Sequence, residues 1–423
     1  MIVTGLFNSI RGNLHKKQTS ALFVWNLIGL PVNLAINFFM TRYLGAEAYG
    51  NYSFVGRVFN LVYVLVNFGL YRSVGRAILV SNDEQKHREY YGAGLLIWLF
   101  TVAIAIIALF FYGVFSPNIE QKGIRLLFLF MIPFCSAPFL HNINEKVLPT
   151  SNKIKLLIVQ RYGPRILLLI TIVVLFFFWD SCPNKLLVCL CALFVTQLLL
   201  YGFVGLKLHP LFSNKKERLK EIWTINRTYG SKVYVGDLCS NLFTEAMPLL
   251  ISLFSLTNAE VGFYSLAILL CNPMNYIPAA VMTSYYRMFS TYKEIPKKVF
   301  KVTITSSLVC LVILWIIITP FVKLFYTPEY NPVILLTIIA SIGTLLRGVA
   351  DFLTRYLASQ GNGVALRNSS IIVGFSTLVC SLLLISKYGA MGAAITHVIT
   401  AVIYVIVIFI YYRKQVRLNY SKQ

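Results

Sequence analysis

Residues 25–45 read WNLIGLPVNLAINFFMTRYLG. At 1.5 Å per residue, a helix of this length covers about 30 Å, the thickness of a bilayer's hydrocarbon core. The run follows Arg11, Lys16 and Lys17, as a secretory leader would. No small-residue cleavage pattern interrupts it, so it reads as a retained first helix. The rest of the chain has the same character. It is 57% hydrophobic and only 13% charged, about half the charge of a typical soluble domain, and its interior could not hide that much apolar side chain. Lipid must be the solvent.

Apolar runs of spanning length fall near 20–41, 50–71, 90–115, 124–143, 156–179, 186–206, 230–255, 260–284, 300–326, 332–352, 368–386 and 390–412. The expected fold class is therefore an all-α integral membrane protein. It has about 12 transmembrane helices in two six-helix lobes, a 6+6 parallel pseudo-repeat. The expected organisation is an N-terminal lobe at 1–206, a cytoplasmic linker loop at 207–229, a C-terminal lobe at 230–412 and a cytoplasmic tail at 413–423.

A short phrase supports the repeat. AEAYGNYS at 46–53 and NAEVGFYS at 258–265 share G-x-Y-S, with Gly50 and Gly262 lying 212 positions apart in 423. Both fall in the short turn after the first span of their half, where glycine serves a tight chain reversal. Half-chain repeats of this kind mark transporters built from two similar bundles. The acids Glu47 and Glu260 are one position out of register, so the repeat is not gapless.

The net charge of +23 does not point to nucleic acid. With the N-terminus taken as inside, 30 Lys and Arg fall in inside segments and 6 in outside segments. That asymmetry predicts cytoplasmic termini and an even number of spans. The surplus can also attract anionic headgroups of membrane lipids. The eight cysteines lack metal-ligand spacing and read as free, small apolar residues.

Proline interrupts several spans: Pro31, Pro133 and Pro138, Gly163-Pro164, and Pro273 with Pro278. Such breaks are tolerated where protein or a water-filled cavity satisfies the freed carbonyls. There is no P-loop, G-x-S-x-G or H-E-x-x-H, and no paired carboxylates in an outside loop. The expectation is a non-enzyme without cofactor or metal, driven by a gradient or a partner.

The informative residues are the ionisable ones inside spans, where charge is costly. Arg57 lies about 10 Å below the outer surface and is a cationic contact for an anionic substrate. Asp237, Asn241 and Glu245 follow an i, i+4, i+8 stripe. Glu245 falls near mid-bilayer, at the position equivalent to Asn33 under the 212-residue offset. Glu245, Asp237 and Asp351 are the candidate ion-coupling acids. Arg347, Asp351 and Arg355 form a second stripe, read first as an internal ion pair. Arg161 and Arg165 read as a topology anchor. His141, Asn142, Asn144 and Glu145 read as a solvated helix end. Tyr285 and Tyr286 could stack on sugars, and Arg287 reads as interfacial.

NLIGLPVNLAINFFMTRYLGAEAYGNYSF followed by LVNFGLYRSVGR resembles the start of a bacterial polysaccharide flippase of the Wzx type, in the superfamily that includes MATE exporters and the lipid II flippase. AEVGFYSLA with IPAAVMTSYYRMFS, and KYGAMGAAITHVIT, resemble later parts of the same family. The resemblance implies two lobes around a central cavity that opens alternately to each side. It implies translocation of an undecaprenyl-pyrophosphate-linked oligosaccharide, an O-antigen or capsule repeat unit, from the cytoplasmic to the periplasmic leaflet of a bacterial inner membrane. Arg57 and Arg347, with Asn33 and Asn37, would then be the substrate-binding set. A polysaccharide polymerase and a chain-length regulator would be the expected protein partners. The lipid II branch has a basic residue in its first helix, and here that stretch offers only asparagines. The alternatives weighed are a MATE-like cation-coupled small-molecule exporter, a membrane polymerase or ligase, and a passive channel. Short outside loops disfavour the enzyme, and scattered polar residues disfavour the channel.

Overall fold

The computed structural model describes residues 14–81, 83–151, 153–179, 182–275, 278–279, 281, 289 and 292–421. Among these residues everything regular is helical. The elements are α1 (Leu14–Val66), α2 (Leu70–Val80), α3 (Glu84–Phe115), α4 (Pro117–Gln121), α5 (Arg125–Met131), α6 (Ser136–Thr150), α7 (Ile154–Phe178), α8 (Lys185–Lys207), α9 (Lys215–Ile225), α10 (Ser231–Phe254), α11 (Ala259–Cys271), α12 (Lys297–Phe325), α13 (Pro332–Ser359) and α14 (Gly363–Ser421).

Seven helices among the described residues are long and apolar enough to cross a bilayer, or eight when α1 and α2 are taken as one bent pair. One of the seven runs from Gly363 to Tyr420, 58 residues, far more than the roughly 20 that one crossing needs. It bends at Gly389, whose φ of 53° lies in the left-handed region. Gly45, with φ 76°, bends α1 in the same way. Only glycine takes such backbone without strain. Each bend is capped by a distant carboxylate. The Ala46 N–H donates to Glu329 Oε2 at 3.3 Å, and the Ala390 N–H donates to Glu260 Oε2 at 2.7 Å. A carboxylate at a new helix N-terminus satisfies an orphan donor and complements the helix dipole.

The prolines act in two ways. Pro133 and Pro273 sit in 3-10 segments, Ile132–Cys135 and Asn272–Asn275, that break the helices around them. Pro31 and Pro164 are carried inside continuous helices.

The chain forms two compact units. One is Met1–Leu44 with Phe59–Val235, and the other is Gly45–Val58 with Gly236–Gln423. In the first unit, α2, α3 and α6 pack closely. A Cβ at Gly94 would press on Ile143 and Val74. Asn144, expected at a solvated helix end, is fully buried. It accepts from the Tyr91 hydroxyl at 2.7 Å and donates to the Tyr201 carbonyl at 3.1 Å. Gln160 donates to the His141 carbonyl at 2.8 Å, and Arg161 pairs with Glu145. That expectation is corrected: α6 runs on to Thr150, and these polar groups pair with one another inside the unit, with the Gln160 Oε1 left buried without a partner.

The midpoint stretch 207–229 is not a plain loop. It carries α9, and Asn226–Gly230 form a π-helical turn that leads into α10. Arg218 of α9 is buried against Glu89 of α3 at 2.8 Å and reaches Glu221 at 2.7 Å. The hydrogen bonds it donates to Glu89 and Glu221 push its guanidinium above its ordinary pKa. Tyr90 donates to Glu221 at 2.7 Å, and Ser73 of α2 donates to Asn226 at 2.9 Å. The residues beyond 412, expected as a tail, continue α14 to Ser421.

In the second unit, α11 packs on α13 and α13 on α14. Phe289, Phe352 and Tyr356 form an edge-to-face aromatic core. Cys135, Cys182, Cys189, Cys191, Cys271, Cys310 and Cys380 are free thiols.

Candidate functional site

The second unit holds a cavity of about 270 Å³ lined by Arg57, Arg347, Asp351, His397 and Tyr404, among others. The way α1 and α11 pack brings Arg57 there. The bend at Gly45 starts a new helical arm that lies against α11. A Cβ at Gly50 would run into the Asn258 carbonyl, and a Cβ at Gly262 would lie 3.1 Å from the Gly50 nitrogen. The repeated glycines of the sequence therefore face each other. Asn258 donates to Asn51 at 2.7 Å and accepts from Ser252 at 2.7 Å, all three buried. Seven residues beyond Gly50, about two turns along, Arg57 meets the cavity and pairs with Glu245 of α10 at 3.2 Å.

Arg347 enters from α13. It donates to Thr400 at 3.4 Å, and its Nε is buried without a hydrogen-bond partner. The Ser265 hydroxyl of the second repeat phrase also lines the cavity and is likewise buried and unpartnered. Asp351, one turn from Arg347, accepts from Tyr404 of α14 at 3.2 Å. No ion pair joins Asp351 to Arg347 or Arg355 among the described residues, which corrects the expected internal pair: the carboxylate turns to a phenol on the facing helix. His397 shares a 3.3 Å contact with Thr344.

Of the predicted site residues, Arg57, Arg347 and Asp351 line one cavity, and Glu245 joins them through its ion pair. Asn33 and Asn37 lie in the first unit, where the Asn37 amide donates to the Asn33 carbonyl at 2.7 Å. Asp237 and Asn241 fall within α10, and their side chains lie outside the described residues, as do Tyr285, Tyr286 and Arg287. The sequence reading passed over His397, Thr400 and Tyr404. Their spacing of three and four puts them on one face of the last helix, a polar stripe that was there to be found. The lining carries two guanidiniums and one carboxylate within an apolar bundle, with further hydroxyl and imidazole donors. Such a site can neutralise an anionic group while offering hydrogen bonds to polar atoms.

Residues 15–293 match the polysaccharide biosynthesis protein family, well over half of the chain. The chain belongs to that family. As a member of it, this protein is also 21% identical over 407 residues to the capsular polysaccharide biosynthesis protein CapF of Staphylococcus aureus, covering 94% of this chain and 99% of that one. The fold is similar to the lipid II flippase MurJ in an inward closed conformation, with a TM-score of 0.74 at 15% identity over 94% of this chain and 89% of that one. It is also similar to an inward-facing multidrug resistance MATE family transporter of the MOP superfamily, with a TM-score of 0.65 at 14% identity, covering 92% and 95% of the two chains. The fold is thus that of multi-pass, all-α membrane transporters, and neither the family nor these neighbours are described as enzymes.

Proposed function

We propose that this family member is a flippase for an undecaprenyl-pyrophosphate-linked oligosaccharide repeat unit of an O-antigen or capsule, carried from the cytoplasmic to the opposite leaflet of the bacterial inner membrane. The observation that carries the reading is the pair of arginines, Arg57 and Arg347, lining one cavity in a polysaccharide biosynthesis protein. A pyrophosphate needs cationic, hydrogen-bonding partners away from water, and guanidinium supplies both. The unpartnered Arg347 Nε and Ser265 hydroxyl are groups a polar cargo would satisfy, since such groups are costly when left alone.

In this mechanism the pyrophosphate and sugars occupy the cavity while the polyprenyl tail remains in lipid. Two six-helix lobes, separated near 207–229, alternate the opening. Arg57 and Arg347 hold the negative charge. Glu245 and Asp351, with Asp237, are the acids at which a cation resets the carrier, since ionisable groups within apolar spans mark ion pathways. Both termini are cytoplasmic in this scheme, and a polymerase and chain-length regulator act on the delivered unit.

The test is the fate of lipid-linked units in a deletion strain. Single units that accumulate on the cytoplasmic leaflet support a flippase. Single units already outside would indicate a polymerisation defect. Intact polymer with altered drug tolerance would favour the MATE-like cation-coupled exporter.

A further inference from the structure

Away from the arginine cavity, the first unit has a second, more open pocket of about 720 Å³ where α2, α3 and the π-helical turn after α9 meet. Arg76 and Lys86 line it together with the hydroxyls of Ser81 and Thr228 and the ring of Tyr229. We propose that this pocket binds the phosphate headgroup of an anionic phospholipid from the leaflet at this end of the bundle.

The charge arrangement is selective. Two acids stand in or beside the pocket, and both are engaged elsewhere. Asp83 caps α3 by accepting from the Gln85 N–H at 2.9 Å. Glu221 accepts from Tyr90 and from Arg218, each at 2.7 Å. The two cations are not so engaged. Lys86 makes no ion pair within 4 Å among the described residues, and Arg76 only lies over the Tyr229 ring at 5.5 Å. A cation–π contact at this distance uses none of the guanidinium N–H donors, which stay available to phosphate oxygens. Thr228 donates its hydroxyl to the Thr224 and Ile225 carbonyls, so the pocket presents to an anion two cations and the Ser81 hydroxyl, against the single capped carboxylate of Asp83.

Its setting indicates lipid rather than a soluble anion. Leu79 and Val80, at the end of α2, are 56% and 68% exposed, and Trp223 of α9 is 51% exposed. Exposed aliphatic and indole groups beside a basic pocket are what the headgroup boundary of a bilayer accommodates. On the opposite side, α3 leads from the pocket directly into a strongly apolar span.

The test uses the purified full-length protein with equal amounts of phosphatidylglycerol and phosphatidylcholine, read by native mass spectrometry. The wild type should retain phosphatidylglycerol in preference. Arg76→Gln with Lys86→Gln should lower that preference about 25-fold, since each basic group near an anionic surface contributes roughly a fivefold effect. A charge-matched control, Lys215→Gln with Lys216→Gln on the exposed start of α9, should leave it unchanged. An unaltered preference in the first variant, or an equal loss in the control, overturns the site. Release of the lipid by equimolar inorganic phosphate would mark a soluble-anion site and overturn the lipid assignment. If the double variant loses its thermal transition, Lys86→Gln alone, on an exposed side chain, carries the same comparison.

Discussion

Gly50 and Gly262 back onto each other: a Cβ at Gly262 would lie 3.2 Å from the Gly50 Cα. Two positions half a chain apart, matched by a four-residue phrase, lie where two helices approach within van der Waals reach of each other's backbone. Small residues allow membrane helices this approach, because backbone packing replaces the missing hydrophobic drive between them. Leucine at Gly262 has little room, since it would meet the Gly50 backbone and the ring of the buried Tyr49. Overpacking of this kind costs about 1–3 kcal/mol. Gly262→Leu should lower the thermal midpoint in detergent and the amount of protein in the membrane, and Gly262→Ala should do so less.

The buried amide pair beside those glycines makes a separate prediction. Asn258 joins Asn51 and Ser252. Replacing Asn258 with leucine removes its bonds to the buried Asn51 and Ser252, and a buried group that loses a partner costs about 1–3 kcal/mol. Asn258→Asp, which keeps an acceptor for Ser252, should be milder. Thermal midpoints of the two variants check the order.

Arg57 and Glu245 are 188 positions apart and form an ion pair at the cavity wall. If the pair serves transport, Glu245→Gln should slow repeat-unit export while membrane levels hold, because Arg57 keeps a hydrogen-bonding partner. An unchanged polysaccharide ladder would remove Glu245 from the mechanism. The exchange Arg57→Glu with Glu245→Arg should restore protein levels lost in either single reversal, yet not export, because the cation then sits on another helix.

The docking of α9 depends on pH in a defined direction. Burial pushes the Glu221 carboxyl up, but hydrogen bonds from Tyr90 and Arg218 more than offset this and hold it below its ordinary value. A carboxyl lowered in the folded state stabilises above its unfolded pKa of about 4.3, and that contribution fades as pH falls through the folded value. Protection of α9 from protease should therefore be level from neutral pH to about 5 and decline below about 4. Glu221→Gln should lower protection at neutral pH and flatten the acid decline.

Much of the helical architecture could be read from residue order, because lipid forces spanning length and apolar content on every crossing. The breaks at Pro133 and Pro273 were legible for a similar reason: proline removes a backbone donor wherever it stands. The pairings were not. Glu260 looked like a turn acid, but it caps the helix that begins at Ala390. Asn144 looked solvated and is buried. The stretch 207–229 looked like a basic linker, yet Glu89 draws Arg218 inward and folds it onto α3. Each depends on a partner far away in sequence, and no local pattern encodes that partner. Arg57 and Arg347 were individually visible as charges in apolar spans. Their meeting at one cavity was not.

The most direct measurement is surface polysaccharide in a deletion strain complemented with the wild-type chain or with Arg57→Ala. Deletion should remove the polymer, wild type should restore it, and Arg57→Ala should fail to restore it at normal membrane abundance. Full restoration by Arg57→Ala at that abundance would contradict the cationic cavity as the site that carries the cargo.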